Sequence, residues 1–288
     1  MHKGNYFPIR RTFTPAATRL AQIIEMRVAK QSGFTQKSFL ALCGILILLV
    51  GSVRAELAGF KAMAPCGFIA NQGQWPSQIH FRAETAGATI WLAEDGIYYQ
   101  FVRLTEASDR LQPLDPKATT PPQAETVLIK ASFRGARTNA VISGVDPLAS
   151  RCNYFLGDDP SRWQRDVPGY REVIYTELYP GIDLRCSSQT GAFKYEFILE
   201  PGVDPALIEI VYENVTSFGV AANGELTVGT IWGSVSEKPP YVYQPGGAEI
   251  VGAYQPRGDR SFGFALGTYN PDLPLVIDPE VTYSTYLG

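Results

Sequence analysis

Residues 193–200 read FKYEFILE, with Phe193, Tyr195, Phe197 and Leu199 on one side of an alternation and Lys194, Glu196 and Ile198 on the other. A period of two sends successive side chains to opposite faces of an extended chain, so the segment reads as a half-buried antiparallel strand. Similar short runs recur in ATIWLA (88–93), GIYYQFVR (96–103), TVLIKASF (126–133) and LIEIVY (207–212). ELTVGTI (225–231), SFGFALG (261–267) and VTYSTYL (281–287) continue the series. Turn residues punctuate it: Glu94-Asp95-Gly96 and Asn223-Gly224 give short hairpin connections, and Pro201-Gly202 with Pro205 closes the strand before LIEIVY. Few stretches carry helical periodicity. The chain therefore reads as all-β, an antiparallel β-sandwich-like module. QPLDPKATTPPQAE (112–125) lacks an apolar period and reads as an exposed loop or a boundary between two β-subdomains, with 145–155 as the other place for such a break. The turn-rich GDDPSR (157–162) also reads as exposed.

Ahead of this module, FLALCGILILLV (39–50) is a twelve-residue apolar run with a basic flank, followed by GSVRA. An apolar core of about 7–15 residues between a basic region and small residues is the pattern of a secretory signal peptide. Val53 and Ala55 occupy the small-x-small positions, which places cleavage after Ala55 and makes 1–55 a leader. A retained membrane anchor is the alternative, but spanning hydrocarbon takes about 20 apolar residues. Translation starting at Met26 rather than Met1 would give the leader a basic region of ordinary length. A lipoprotein reading of Cys43 is poor, because Leu42 stands where a small residue belongs. Residues 56–67 then read as a linker. The expected location is secreted or cell-surface.

Charge follows the same division. Residues 1–55 hold eight Lys/Arg and one acid, a net of +7, whereas residues 56–288 hold 17 Lys/Arg and 27 Asp/Glu, a net of −10. A mature chain this acidic is repelled by phosphate backbones, so nucleic acid is excluded as an expected partner.

The leader takes one cysteine with it, leaving Cys66, Cys152 and Cys186. Three cysteines allow one internal bridge at most, with Cys152–Cys186 as a candidate and buried or unpaired thiols as the equal alternative. No Cys/His pair has metal spacing, which disfavours zinc. His80 is the one histidine left after cleavage, and no GxSxG elbow accompanies it, so a His-dependent hydrolase is not expected.

The order of several blocks carries a resemblance. FIANQGQ (68–74), NYFLGDDPSRWQRDVPGYREVIYTELYPGIDL (153–184), FKYEFILEPGVDP (193–205), KPPYVYQ (238–244), GFALGTYNPDLPLVIDP (263–279) and TYSTYLG (282–288) follow one another. Together they resemble the N-terminal module of bacterial exported proteins that carry seven-bladed β-propeller (SBBP) repeats. The resemblance implies a module over 68–280, with 281–288 opening the first propeller repeat and further repeats as the partner beyond Gly288. It implies no reaction. Cys186 departs from the family pattern, which commonly has an aromatic there, and Cys152 is likewise atypical.

Several residue groups are candidate sites. Asp158 and Asp159 in a Gly-Asp-Asp-Pro turn offer oxygens to Ca²⁺, but no DxDxDG loop surrounds them and Asp before Pro initiates turns on its own account. Two acids among Asp158, Asp183 and Glu196, with Glu200 close by, would suit a glycan-cleaving reaction if they faced one another. Trp163, Tyr170 and Tyr179, with Tyr175 among them, would suit a platform for sugar rings or a protein partner, whereas aromatics in β folds are mostly core. Arg162, Arg165 and Arg171 alternate with acids and read as a solvated charged face. The expectation that emerges is a non-catalytic, exported structural or adhesion-type module with no cofactor, ahead of a propeller. A carbohydrate-binding module and a glycan-cleaving domain are the alternatives.

Overall fold

The computed structural model describes residues 67–85, 87–104, 124–189, 192–247 and 249–285. The leader with Ala55, most of the linker, Cys66 and the loop 112–123 lie outside the described residues.

The described chain is all-β apart from two one-turn 3₁₀ segments, Pro160–Arg162 and Pro205–Leu207. It runs through β1 (Phe68–Ala70), β2 (Ile79–Glu84), β3 (Thr89–Ala93), β4 (Gly96–Leu104) and β5 (Ala124–Phe133). Two long strands follow, β6 (Val141–Tyr154) and β7 (Gln164–Tyr179), then β8 (Ile182–Gln189), β9 (Ala192–Leu199) and β10 (Ile210–Glu213). Next come β11 (Ser217–Val220), β12 (Leu226–Thr230), β13 (Gly233–Glu237), β14 (Tyr241–Tyr243) and β15 (Glu249–Ile250). The series ends with β16 (Gly252–Gly258), β17 (Ser261–Leu266), β18 (Leu275–Asp278) and β19 (Val281–Thr285).

Two compact units divide these residues. The smaller contains Gln72–Pro76 and Asn153–Asp166; the larger contains Ser77–Cys152 and Val167 onward, with the segment ending at Asn71. β6 is continuous across 145–154, and the smaller unit takes over the chain at Asn153.

In the larger unit the main sheet has the order β15-β14-β18-β9-β8-β7-β1-β2-β3-β4-β5-β10-β17-β16, with β6 pairing β7 beside this path. The two ends of the path, β15 and β16, are separated in the chain by Val251 alone, and Gly267 N donates to the Val251 carbonyl over 2.8 Å. The sheet therefore curls nearly into a barrel, which removes most of the exposed edge of an open sheet. A second sheet has the order β11-β12-β13-β19.

Local chemistry explains the connections. β3 and β4 join through Glu94-Asp95, with Ala93 opposite Gly96, as the turn signal predicts. β11 and β12 join around Asn223-Gly224, where Ala221 N bonds the Glu225 carbonyl over 2.8 Å. β7 bears an irregularity between Tyr175 and Tyr179, where Glu177 takes a φ of 48° and its N–H donates to Asp183 Oδ1 over 2.7 Å. The VTYSTYL segment, expected to open a propeller repeat, pairs as β19 with β13 from Val281↔Glu237 to Thr285↔Gly233.

The period-2 faces meet in one core. Phe193, Tyr195, Phe197 and Leu199 of β9 all point inward, as do Ile90 and Leu92 of β3 and Ile97 and Tyr99 of β4. Leu226, Val228 and Val235 of the second sheet join the same cluster. The loop expectation for 112–125 is corrected at its end: Ala124 and Glu125 already belong to β5, where Glu125 pairs with Arg103 on β4.

Candidate functional site

The aromatics named from sequence separate into different roles. Tyr179 is 2 % exposed, and its hydroxyl hydrogen-bonds the Glu209 backbone at 3.3 Å, so this residue belongs to the core and cannot form a ligand platform. Burial pushes its hydroxyl pKa up to about 12. Tyr175 is likewise buried, with its hydroxyl on the Ala93 carbonyl at 3.1 Å. Tyr170 is half-buried in the larger unit, edge-on to Phe81 at 5.8 Å and against Gly144. Along β7 Tyr175 and Tyr179 fall inside while Tyr170 stays half-buried, a pattern the composition of the segment conceals.

Trp163 belongs to the smaller unit. Its indole N–H donates to the Gly157 carbonyl over 3.1 Å, and its ring stands edge-on to Phe155 at 5.2 Å. Phe155 is 54 % exposed, and the Arg165 guanidinium lies over its ring at 5.7 Å. In the same unit Trp75 and Tyr154 form another edge-on pair at 5.2 Å. Arg165 thus stacks on an aromatic, while Arg171, in the larger unit, pairs with Asp146 at 3.1 Å across an exposed surface.

The acids are engaged locally. Asp159 caps the Pro160–Arg162 turn, its Oδ1 accepting from Ser161 N at 3.0 Å and from Ser161 Oγ at 2.7 Å, and these bonds lower its pKa. Asp158 is exposed beside it. Among the described residues no group of three or more His, Cys, Asp or Glu side chains gathers into a metal-holding cluster. Asp183 and Glu196 do share a face, because Asp183 is opposite Ile198 and Glu196 opposite Arg185. Each already has a partner: Asp183 holds the Glu177 N–H, and Glu196 accepts from Arg185 Nε at 2.5 Å.

This outward face of β8, β9, β18 and β14 gathers more polar chemistry than the sequence announced. Tyr241 is opposite Asp278, and Asp278 follows directly on Ile277, which is opposite Phe197. Lys194 Nζ lies 2.7 Å from Asp278 Oδ2, and the Glu196–Arg185 pair stands alongside on β9 and β8. Burial raises the Asp278 pKa despite the lysine, and its Oδ1 is buried without a hydrogen-bond partner. Tyr241 and Tyr243 present rings 5.4 Å apart at 32°. The signal missed in sequence is alternation in the three-residue YVY, which sends both tyrosines to one face and Val242 to the core.

A second polar cluster lies inside. Glu237 is 0 % exposed and accepts hydrogen bonds from Tyr212 at 2.5 Å, Tyr195 at 2.6 Å and Tyr254 at 3.3 Å. These hydroxyls come from β10, β9 and β16, so the end of β13 is tied to three strands of the main sheet. The core also holds the Cys186 thiol, whose pKa is raised by burial. Cys152 and Cys186 are not bridged to each other, which corrects the pairing considered from sequence. Cys186 points into the core from the middle of β8, between Val173 and Tyr195 in register, and Cys152 lies near the end of β6.

Fold and polar clusters define an all-antiparallel β module whose charged residues mostly form ion pairs and caps. The chain belongs to the family described as Domain of unknown function (DUF7948), which matches residues 68–280. No curated protein and no solved structure matches the chain.

Proposed function

We propose that residues 68–280 form a non-catalytic, exported structural or adhesion-type module that precedes a β-propeller. The observation that carries this reading is the use made of the acids. Asp159 caps a turn, Asp183 holds the β7 irregularity, Glu196 fixes Arg185, and Glu237 anchors three tyrosines. A general acid or base must exchange a proton with substrate, and carboxylates committed to backbone or cation partners are poorly placed for that. Export rests on the apolar run 39–50 with its small-x-small end at Ala55. The propeller rests on the resemblance of the closing TYSTYLG.

Expression of the full chain in a bacterial host tests the reading. The expected product is periplasmic or secreted, begins at Glu56 by mass spectrometry, and releases no reducing ends from a polysaccharide panel. An unprocessed chain confined to the cytoplasm overturns export. Release of reducing ends that Glu196→Gln or Asp183→Asn abolishes overturns the non-catalytic assignment. Propeller repeats in frame beyond the Gly288 codon support the architectural role, and a stop codon there removes it.

A further inference from the structure

We propose that the outward face of β14, β18, β9 and β8 docks a neutral polysaccharide chain, gripped by Tyr241 and Tyr243 and oriented by Lys194 and Arg185. The inference stands apart from the reading above, since a module without glycan affinity would still be a non-catalytic scaffold.

The aromatic part is the tyrosine pair. Tyr241 is 48 % exposed, and it shares the outer face of a three-residue strand with Tyr243, their rings 5.4 Å apart and tilted by 32°. Side-by-side phenol rings offer an apolar surface to the C–H face of a pyranose while their hydroxyls remain polar handles.

Alternation sets the polar part beside them. Tyr241 is opposite Asp278, which holds Lys194 at 2.7 Å, and Glu196 holds Arg185 at 2.5 Å on the neighbouring strands. In each pair the carboxylate is the covered member and the cation the exposed one: side-chain exposures are 13 % and 45 % for Asp278 and Lys194, and 10 % and 32 % for Glu196 and Arg185. The carboxylates therefore position the cations. Lysine has three N–H donors and arginine five, so each cation retains donors that can point outward at hydroxyl groups.

Charge selects the ligand class. Three carboxylates (Asp183, Glu196 and Asp278) against two cations (Lys194 and Arg185) leave this face at a net of −1, so it has no positive field to attract an anionic polymer. Neutral hydroxyls suit it, and a face four strands wide suits a chain better than a single sugar.

A polysaccharide array probed with the exported full chain tests the proposal, with neutral glucans, mannans and chitin against polygalacturonate and sulfated polymers. Retention on at least one neutral polymer is expected, persisting at about 0.5 M salt, where exposed charge attraction is screened. Tyr241→Ala should weaken it by about tenfold, and Tyr241→Ala with Tyr243→Ala should abolish it at an unchanged melting temperature. Binding only to anionic polymers, binding indifferent to Tyr241→Ala, or no retention on any neutral polymer would each overturn the proposal.

Discussion

Tyr212 donates its hydroxyl hydrogen to Glu237 across 2.5 Å in the core of the larger unit, and neither side chain reaches solvent. Hydrogen bonds from a hydroxyl to a carboxylate are short and stronger than neutral ones. Tyr195 adds a second at 2.6 Å; Tyr254 is more distant at 3.3 Å and also bonds the Lys238 carbonyl at 2.8 Å. Through them the β13 end of the second sheet is fastened to β9, β10 and β16 of the first.

Removing one donor should expose the cost of a buried carboxylate with too few partners. Tyr212→Phe is expected to lower unfolding stability by about 2 kcal/mol. Tyr254→Phe should cost less, because it leaves both short bonds to Glu237 in place and its one hydroxyl hydrogen serves chiefly the neutral Lys238 carbonyl at 2.8 Å. Urea unfolding followed by tryptophan fluorescence measures both, and equal losses would show that the short bond carries no special weight.

The same cluster fixes a pH dependence. Burial raises the Glu237 pKa above the usual glutamate range, against the opposing pull of the three hydroxyls. Between the ordinary glutamate value and the raised native one, the native state binds more protons than the unfolded state. Stability from this group is thus unpenalised below that window and falls as pH rises through it. Tyr195, Tyr212 and Tyr254 are all shifted upward and stay neutral there. The stability of the wild type minus that of Glu237→Gln should decline as pH climbs from acid toward neutral. A rising difference would mean that the hydroxyls outweigh burial.

Cys186 lies within the core cluster at 0 % exposure. Cys186→Ser exchanges a weakly polar thiol for a hydroxyl with no partner at hand, and should cost roughly 1–3 kcal/mol. Burial also keeps the thiol protonated and unreactive. A thiol reagent near pH 8.5, about the ordinary thiol pKa, should label folded wild type and folded Cys186→Ala equally. The difference of one thiol should appear only on unfolding. Early labelling of Cys186 would show that β8 opens locally.

Much of this architecture was legible where the code is local. The alternation in FKYEFILE placed β9 with its four inward side chains, and Asn223-Gly224 and Glu94-Asp95-Gly96 marked real hairpins. Beyond those strands the code is long-range. β6 carries Pro147 and a positive φ of 56° at Asp146, which hide a strand pattern from any short window. Tyr179 looked like a ligand-facing aromatic because its neighbours in sequence were aromatic, whereas its phase along β7 sends it inward. Lys194, Asp278 and Tyr241 meet only through pairing of β9, β18 and β14, strands joined by no hairpin to one another. Glu237 needed three tyrosines from three strands, a coincidence that no spacing rule displays.

The β3–β4 hairpin offers the sharpest backbone test. Gly96 holds a φ of 143°, and a Cβ at this position would collide with the Ala131 carbonyl on β5. Residues with a side chain rarely adopt that conformation, so Gly96→Ala combines backbone strain with a clash against main chain that cannot swing aside. The expected loss is about 2–4 kcal/mol, within the range of severe single substitutions. Asp95, one residue earlier, accepts from Lys130 at 2.7 Å and from Tyr98 at 2.9 Å on the exposed side of the same turn. Asp95→Asn should cost no more than about 1 kcal/mol, because exposed ion pairs contribute little. Denaturant midpoints for the two variants should therefore separate clearly. Similar midpoints would mean that the turn relaxes around a methyl group, and that the close approach of β4 to β5 at Gly96 is not required by the fold.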